Sequence, residues 1–109
     1  MKLLTKELEK KLPALYATDK TPKNEKKVIV KFFSIANDWK WYATEYDPEQ
    51  KLFFGLVKGY ETEWGYFSLD EMQSVRHPRF NIPAIERDMH FSPITVEELE
   101  QKLARGEHV

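Results

Sequence analysis

Hydrophobic and polar positions recur with two different periods along this chain, and the change from one to the other divides it into three parts. Leu8, Leu12 and Leu15 stand four and three residues apart, the stripe by which an α-helix meets a core. Thr5 is placed as the N-cap, and Glu7 falls in the first turn, where the helix dipole favours negative charge. Pro13 has no N–H and disfavours helical geometry at the residue before it, so this short helix is expected to end near Leu12. Residues 18–27, TDKTPKNEKK, show no apolar period and read as an exposed connection.

The middle third changes to apolar, β-branched and aromatic runs of strand length: KVIVKFFSI, WKWYATEY, KLFFGLVKGY and WGYF. DPEQ, with Asp47 first and Pro48 second, suits a type I turn, and ETE separates the last two runs. Connections this short join antiparallel neighbours, because a parallel crossover needs a dozen or so residues. Gly55 and Gly59 mark sites for a bulge or for close approach of a large side chain. Helical signals then return. Ser68 and Glu71 form a capping box, with Phe67 and Met72 at the staple positions; Thr95 and Glu98 repeat it, with Ile94 and Leu99. Leu103 continues the second apolar side, Gly106 is a natural stop, and residues 106–109 are expected to fray. The pattern predicts one α+β domain over residues 1–109. Its parts are a short N-terminal helix, an antiparallel meander of about four strands, and two later helices.

Composition narrows the classes. At 41 % hydrophobic and 14 % aromatic, the chain carries enough apolar surface to fold. Without cysteine, disulfides and thiolate metal sites are excluded. No apolar run reaches membrane-spanning length and no signal-peptide pattern opens the chain, so a soluble cytoplasmic protein is expected. The net charge of −1 conceals an asymmetry: residues 1–40 hold ten lysines against five acids, and residues 41–75 hold two against seven. Nucleic-acid binders gather positive charge on one face and have a high pI. Here the pI is about 6.3 and the lysines fall on a helix, a loop and a strand, so nucleic acid is not the expected partner.

Strict alternation puts Trp39, Trp41, Ala43 and Glu45 on one side of the second strand, and Lys40, Tyr42, Thr44 and Tyr46 on the other. Aromatics on both sides imply one face covered by helices and one left as a contact surface. Trp39, Trp41, Tyr42, Tyr46 and Tyr60 are the expected anchors, with Glu45, Asp47, Glu61 and Glu63 as a charged rim. Stacking of RNA bases fits poorly, since the glycine-and-aromatic signature of such sheets is missing and the region is acidic. Glu45, Asp47 and Glu49 are spaced like oxygen ligands, but Pro48 and the absence of a loop glycine depart from a calcium loop. No metal or other cofactor is expected, and no nucleophile–base pair is recognisable.

IERDMHF, residues 85–91, gathers Glu86, Arg87, Asp88 and His90. As a strand it would direct Glu86, Asp88 and His90 to one side, a carboxylate–imidazole set suited to acid–base work or a ligand, with Arg87 to hold an anion. The favoured reading is a structural seam. Arg87 is then the odd member of the apolar face of Ile85, Met89 and Phe91, and takes an acidic partner if buried.

The blocks KLLTKELEKKLPALY, VKFF, WKWYATE, FFGLVKG, GYFSLDE and IERD, in that order from Lys2 to about Phe91, resemble domain-of-unknown-function family 2958, small bacterial proteins. The resemblance implies an accessory or regulatory protein of a plasmid, phage or conjugative element, an anti-defence role being one such. It transfers no catalytic residues. A non-enzymatic, protein-binding role is therefore expected, and the alternative is a small ligand- or metal-binding domain or enzyme centred on Glu86, Asp88 and His90.

Overall fold

The structure, a computed structural model, describes residues 2–109. Helix α1 spans Lys6–Lys11, and the Thr5 hydroxyl accepts the Leu8 N–H as its cap. Leu12 leaves in extended geometry ahead of Pro13. The strands are β1 (Lys27–Val28), β2 (Val30–Ser34), β3 (Lys40–Asp47), β4 (Leu52–Lys58), β5 (Thr62–Ser68), β6 (Ile85–Arg87) and β7 (Ile94–Thr95). Helix α2 covers Leu69–Ser74 and α3 covers Val96–Ala104. Their caps form where the boxes predict: the Ser68 hydroxyl accepts the Glu71 N–H, and the Thr95 hydroxyl accepts the Glu98 N–H.

The described residues form an α+β fold with two antiparallel sheets. β2 to β5 pair in chain order, and β6 returns to the free side of β2, giving β5-β4-β3-β2-β6. The sheet is thus a meander with one added strand, supplied by the start of IERDMHF. The run KVIVKFFSI does not stay whole. Its first two residues pair with β7 in a separate two-stranded ribbon, Val28 opposite Ile94.

Each face of the large sheet has its own core. One face carries Val30, Phe32, Ala43 and Phe53 and is closed by Leu3, Leu4 and Leu12 from the N-terminal segment and by Leu69 and Met72 from α2. The other carries Tyr42 and Leu56 and is closed by Val96 and Leu99 of α3. We call them the front and the back.

A β-bulge in β3 decides which side chains go where. Ala43 pairs with Gly55, but Glu45 pairs with Phe54, so Thr44 is the extra residue. An inserted residue reverses the alternation beyond it. Tyr46 therefore joins the front core with Ala43 and Phe53, whereas Glu45, opposite Phe54, turns to the back. Strict alternation had assigned both to the opposite sides. Gly55 makes the bulge possible, because a Cβ there would come within 1.9 Å of the Tyr42 carbonyl oxygen. Val109 packs on the back core, and its carbonyl accepts the Tyr42 hydroxyl at 3.2 Å.

Candidate functional site

At the end of the sheet where β3 begins and β4 turns into β5, no helix among the described residues lines the cleft on the front face. Trp41 faces Val57 across the ladder, and both pack at the margin of the front core. Trp39 lies beside Trp41, ring centroids 6.0 Å apart, and Tyr60 meets Trp39 edge-to-face at 5.3 Å and 84°. Gly59 lets the indole lie flat on the turn: a Cβ there would sit 2.6 Å from the nearest Trp39 ring carbon. Tyr60, at the tip of the turn, is 96 % exposed. Trp39, Val57, Gly59 and Tyr60 bound an open cleft of about 320 Å³, and Glu61 and Glu63 close its rim.

The aromatic rings thus step outward from core to solvent and end beside two exposed carboxylates. The negative rim has a positive counterpart directly behind it. Lys40 and Lys58 are cross-strand neighbours with their side chains on the back. Burial, then the like charges of Lys58 and Lys31, hold the Lys40 ammonium below its ordinary value. The same end of the sheet is therefore aromatic and acidic in front and basic behind.

Five of the residues expected to form a contact surface come together here: Trp39, Trp41, Tyr60, Glu61 and Glu63. The other four do not. Tyr42 and Tyr46 are 0 % and 4 % exposed and belong to opposite cores, so neither is an anchor on the surface. Asp47 stands at the other end of the sheet, where its carboxylate accepts the Glu49 N–H inside the β3–β4 turn. Glu45 is 2 % exposed and forms no rim. Its carboxylate accepts the N–H of Tyr16 at 2.9 Å, the N–H of Thr18 at 3.0 Å, and the Thr18 hydroxyl. The bulge aims Glu45 at the start of the connection 18–27, and the carboxylate ties that connection to the sheet. Buried charge is tolerated because three donors surround it.

Glu86, Arg87, Asp88 and His90 are dispersed by the same kind of local geometry. The ladder ends at Arg87 and a turn follows, so His90 is oriented by the turn and not by strand alternation. Asp88 is engaged twice, accepting the His90 N–H at 2.9 Å and pairing with the Lys31 ammonium at 3.3 Å. Among the described residues no three histidine or acidic side chains converge as a metal site would require. Arg87 reaches the front, where it donates to the carbonyls of Lys2 and Leu3 at 2.6 and 3.1 Å. It secures the N-terminal segment through main-chain carbonyls. Lys31 of β2, a lysine only 8 % exposed, pairs with Asp88. Its signal was a single charge inside the apolar run VIVKFF. Beside this pair, burial pushes the Tyr42 phenol up to about 12, and the Asp88 carboxylate adds to the shift.

The profile of the family described as "Protein of unknown function (DUF2958)" matches residues 3–104. The chain belongs to that family. No curated protein and no solved structure matches it. Residues 96–104, which lie beyond the blocks that carried the resemblance, fall inside the match and form α3. Among the described residues no helix is long and apolar enough to cross a membrane.

Proposed function

We propose that the protein is a non-enzymatic binding protein that captures a partner protein on the aromatic and acidic patch of Trp39, Trp41, Tyr60, Glu61 and Glu63. The observation that carries this reading is the outward stack from Trp41 through Trp39 to a tyrosine exposed over 96 % of its surface. Folding alone gains little from a tyrosine left in solvent, whereas an aromatic with a rigid base is what an interface hot spot uses. The acidic rim supplies orientation and partner choice more than affinity. Service to a plasmid, phage or conjugative element, anti-defence included, remains the biological setting proposed from the family resemblance.

The test is affinity capture from the native host with tagged protein, followed by identification of the retained protein and its purification. Tyr60→Ala and Trp39→Ala should each weaken binding of that purified partner at least about tenfold, with circular dichroism and melting temperature preserved. Undiminished binding by both variants removes the patch as the site. The alternative centred on Glu86, Asp88 and His90 has less support, because Asp88 is occupied by Lys31 and His90 stands in a turn.

A further inference from the structure

The two edges of the large sheet are unlike. β6 is three residues long, and its Arg87 is anchored to the carbonyls of the N-terminal segment. β5 is seven residues long and pairs with β4 in unbroken register over its whole length. Its far side has no hydrogen-bonded neighbour strand among the described residues. Edge strands are normally blunted by brevity, proline, charged side chains, a bulge or a covering element, because the free N–H and C=O groups invite another strand. β5, TEWGYFS, has no proline, no lysine and no bulge, and its one charged side chain is Glu63. Thr62, Glu63, Trp64 and Tyr66 along it are all exposed. This edge is long and, among the described residues, unpaired, and behind it the Tyr66 hydroxyl donates to that of Tyr16.

Its charge says what fits. From Tyr60 to Glu71 the chain carries Glu61, Glu63, Asp70 and Glu71 and no basic residue. Among the described residues, Asp70 alone is paired from outside this stretch, by Lys51 at 3.6 Å. The nearby Lys58 is opposite Thr62 and directs its side chain to the back, away from Glu63. A second copy would bring this acidic stretch against itself, and like charge opposes that pairing. A basic segment is attracted. The alternation of β5 refines the match further. Glu63 faces front, directly opposite Val57, while Trp64 and Tyr66 face back, where they flank the Phe54 ring at 5.9 and 5.1 Å. A strand laid along this edge would meet carboxylate on one side and, on the other, aromatic surface whose Trp64 shares a cleft with Lys23 and Lys26.

We infer that the partner binds by strand addition: an extended segment of alternating basic and apolar residues pairs with the outer edge of β5 as a new edge strand. Its basic side chains face front to Glu63 and Glu61, next to the Tyr60 ring, and its apolar side chains face back beside Trp64 and Tyr66. Main-chain hydrogen bonds supply affinity, and the alternating pockets supply choice of sequence. A guanidinium at the front gains both the carboxylates and the face of an exposed tyrosine ring. This inference rests on the protein-binding reading of the patch and names the chemistry and the conformation of what binds there.

A titration of isotope-labelled full-length protein with short synthetic peptides tests it. One peptide alternates arginine with valine, and its control alternates glutamate with valine. The arginine peptide is expected to bind at least about tenfold tighter than the control. It should also protect alternate amides of β5 from hydrogen exchange, those whose N–H groups point away from β4. Charge reversal at both Glu61→Lys and Glu63→Lys should invert the preference. Tyr60→Ala should weaken the arginine peptide while leaving the β5 amides able to become protected at saturation. If Tyr60→Ala weakens binding but no β5 amide gains protection, the patch stands as a binding site and strand addition is wrong. Equal affinity for the two peptides, or no binding of either, overturns the inference. So does concentration-dependent dimerisation of the free protein that protects the same β5 amides, since the edge then belongs to a second copy.

Discussion

The two ends of strand β3 each set aromatic beside acidic residues and do opposite things. DWKWY leads into the strand with three aromatic rings and ATEYD closes it with one, Tyr46, beside Glu45. At the closing end Tyr46 is 4 % exposed and Glu45 is 2 % exposed, held by three donors from Tyr16 and Thr18. At the opening end Trp39 leans on Gly59 and hands the aromatic surface on to Tyr60, which is 96 % exposed, with Glu61 and Glu63 in solvent. The residue types are shared; the cover is not. α2, the N-terminal segment and the start of the connection 18–27 close over one end, and among the described residues no helix lines the cleft at the other. An aromatic–acidic pair is a structural lock where chain passes above it and a contact surface where none does.

The largest test of that contrast is Glu45→Ala. It leaves three donors around a buried void, and chemical denaturation should show a loss of about 4 kcal/mol. A loss comparable to that of an exposed glutamate would break the distinction between the two ends. Gly55→Ala comes next. Its methyl would strike the Tyr42 carbonyl at the bulge, so the bulge must shift, at a cost of about 3 kcal/mol. Tyr42 sharpens the picture of the closed back face through pH. Burial favours its neutral form, so above the ordinary value of 10.0 the unfolded chain gives up a proton that the folded chain keeps. Its contribution is complete below that value and is lost as pH rises through about 12. Tyr42→Phe should flatten the stability profile in this window by at most about 2 kcal/mol, measured by melting at stepped pH. The smallest change in stability belongs to the open end. Tyr60→Ala should alter the unfolding free energy by less than about 0.5 kcal/mol, although it is expected to weaken partner binding strongly. A substantial destabilisation there would mean that the exposed ring serves the fold.

Much of the architecture was legible because its signals are local. Thr5, Ser68 and Thr95 cap helices from within four residues, and the periods of the apolar runs mark the strands between them. DPEQ and ETE imposed hairpins by their brevity, and pairing in chain order followed. The site was legible in half. Trp39, Trp41, Tyr60, Glu61 and Glu63 follow from the aromatic faces of the strand and the acidic run beside it, and the β4–β5 turn brings them together. Tyr42, Tyr46 and Glu45 were chosen on the same grounds and lie inside. The inserted Thr44 reverses the alternation, and nothing in the run WYATEY distinguishes a bulge from an unbroken strand. Arg87 and Lys31 show the same limit. Both are charged residues within apolar strands, but the carbonyls of Lys2 and Leu3 and the carboxylate of Asp88 that receive them come from distant chain.

By itself the sequence determined the helix starts, the hairpins and the α+β class, because caps, turns and periods act over a few residues and depend on little else. Only the tertiary structure decided which aromatics and which acids are exposed. Exposure depends on what the chain lays over each face, and here a one-residue bulge and a buried carboxylate set that cover over one end of β3 and leave the other end open.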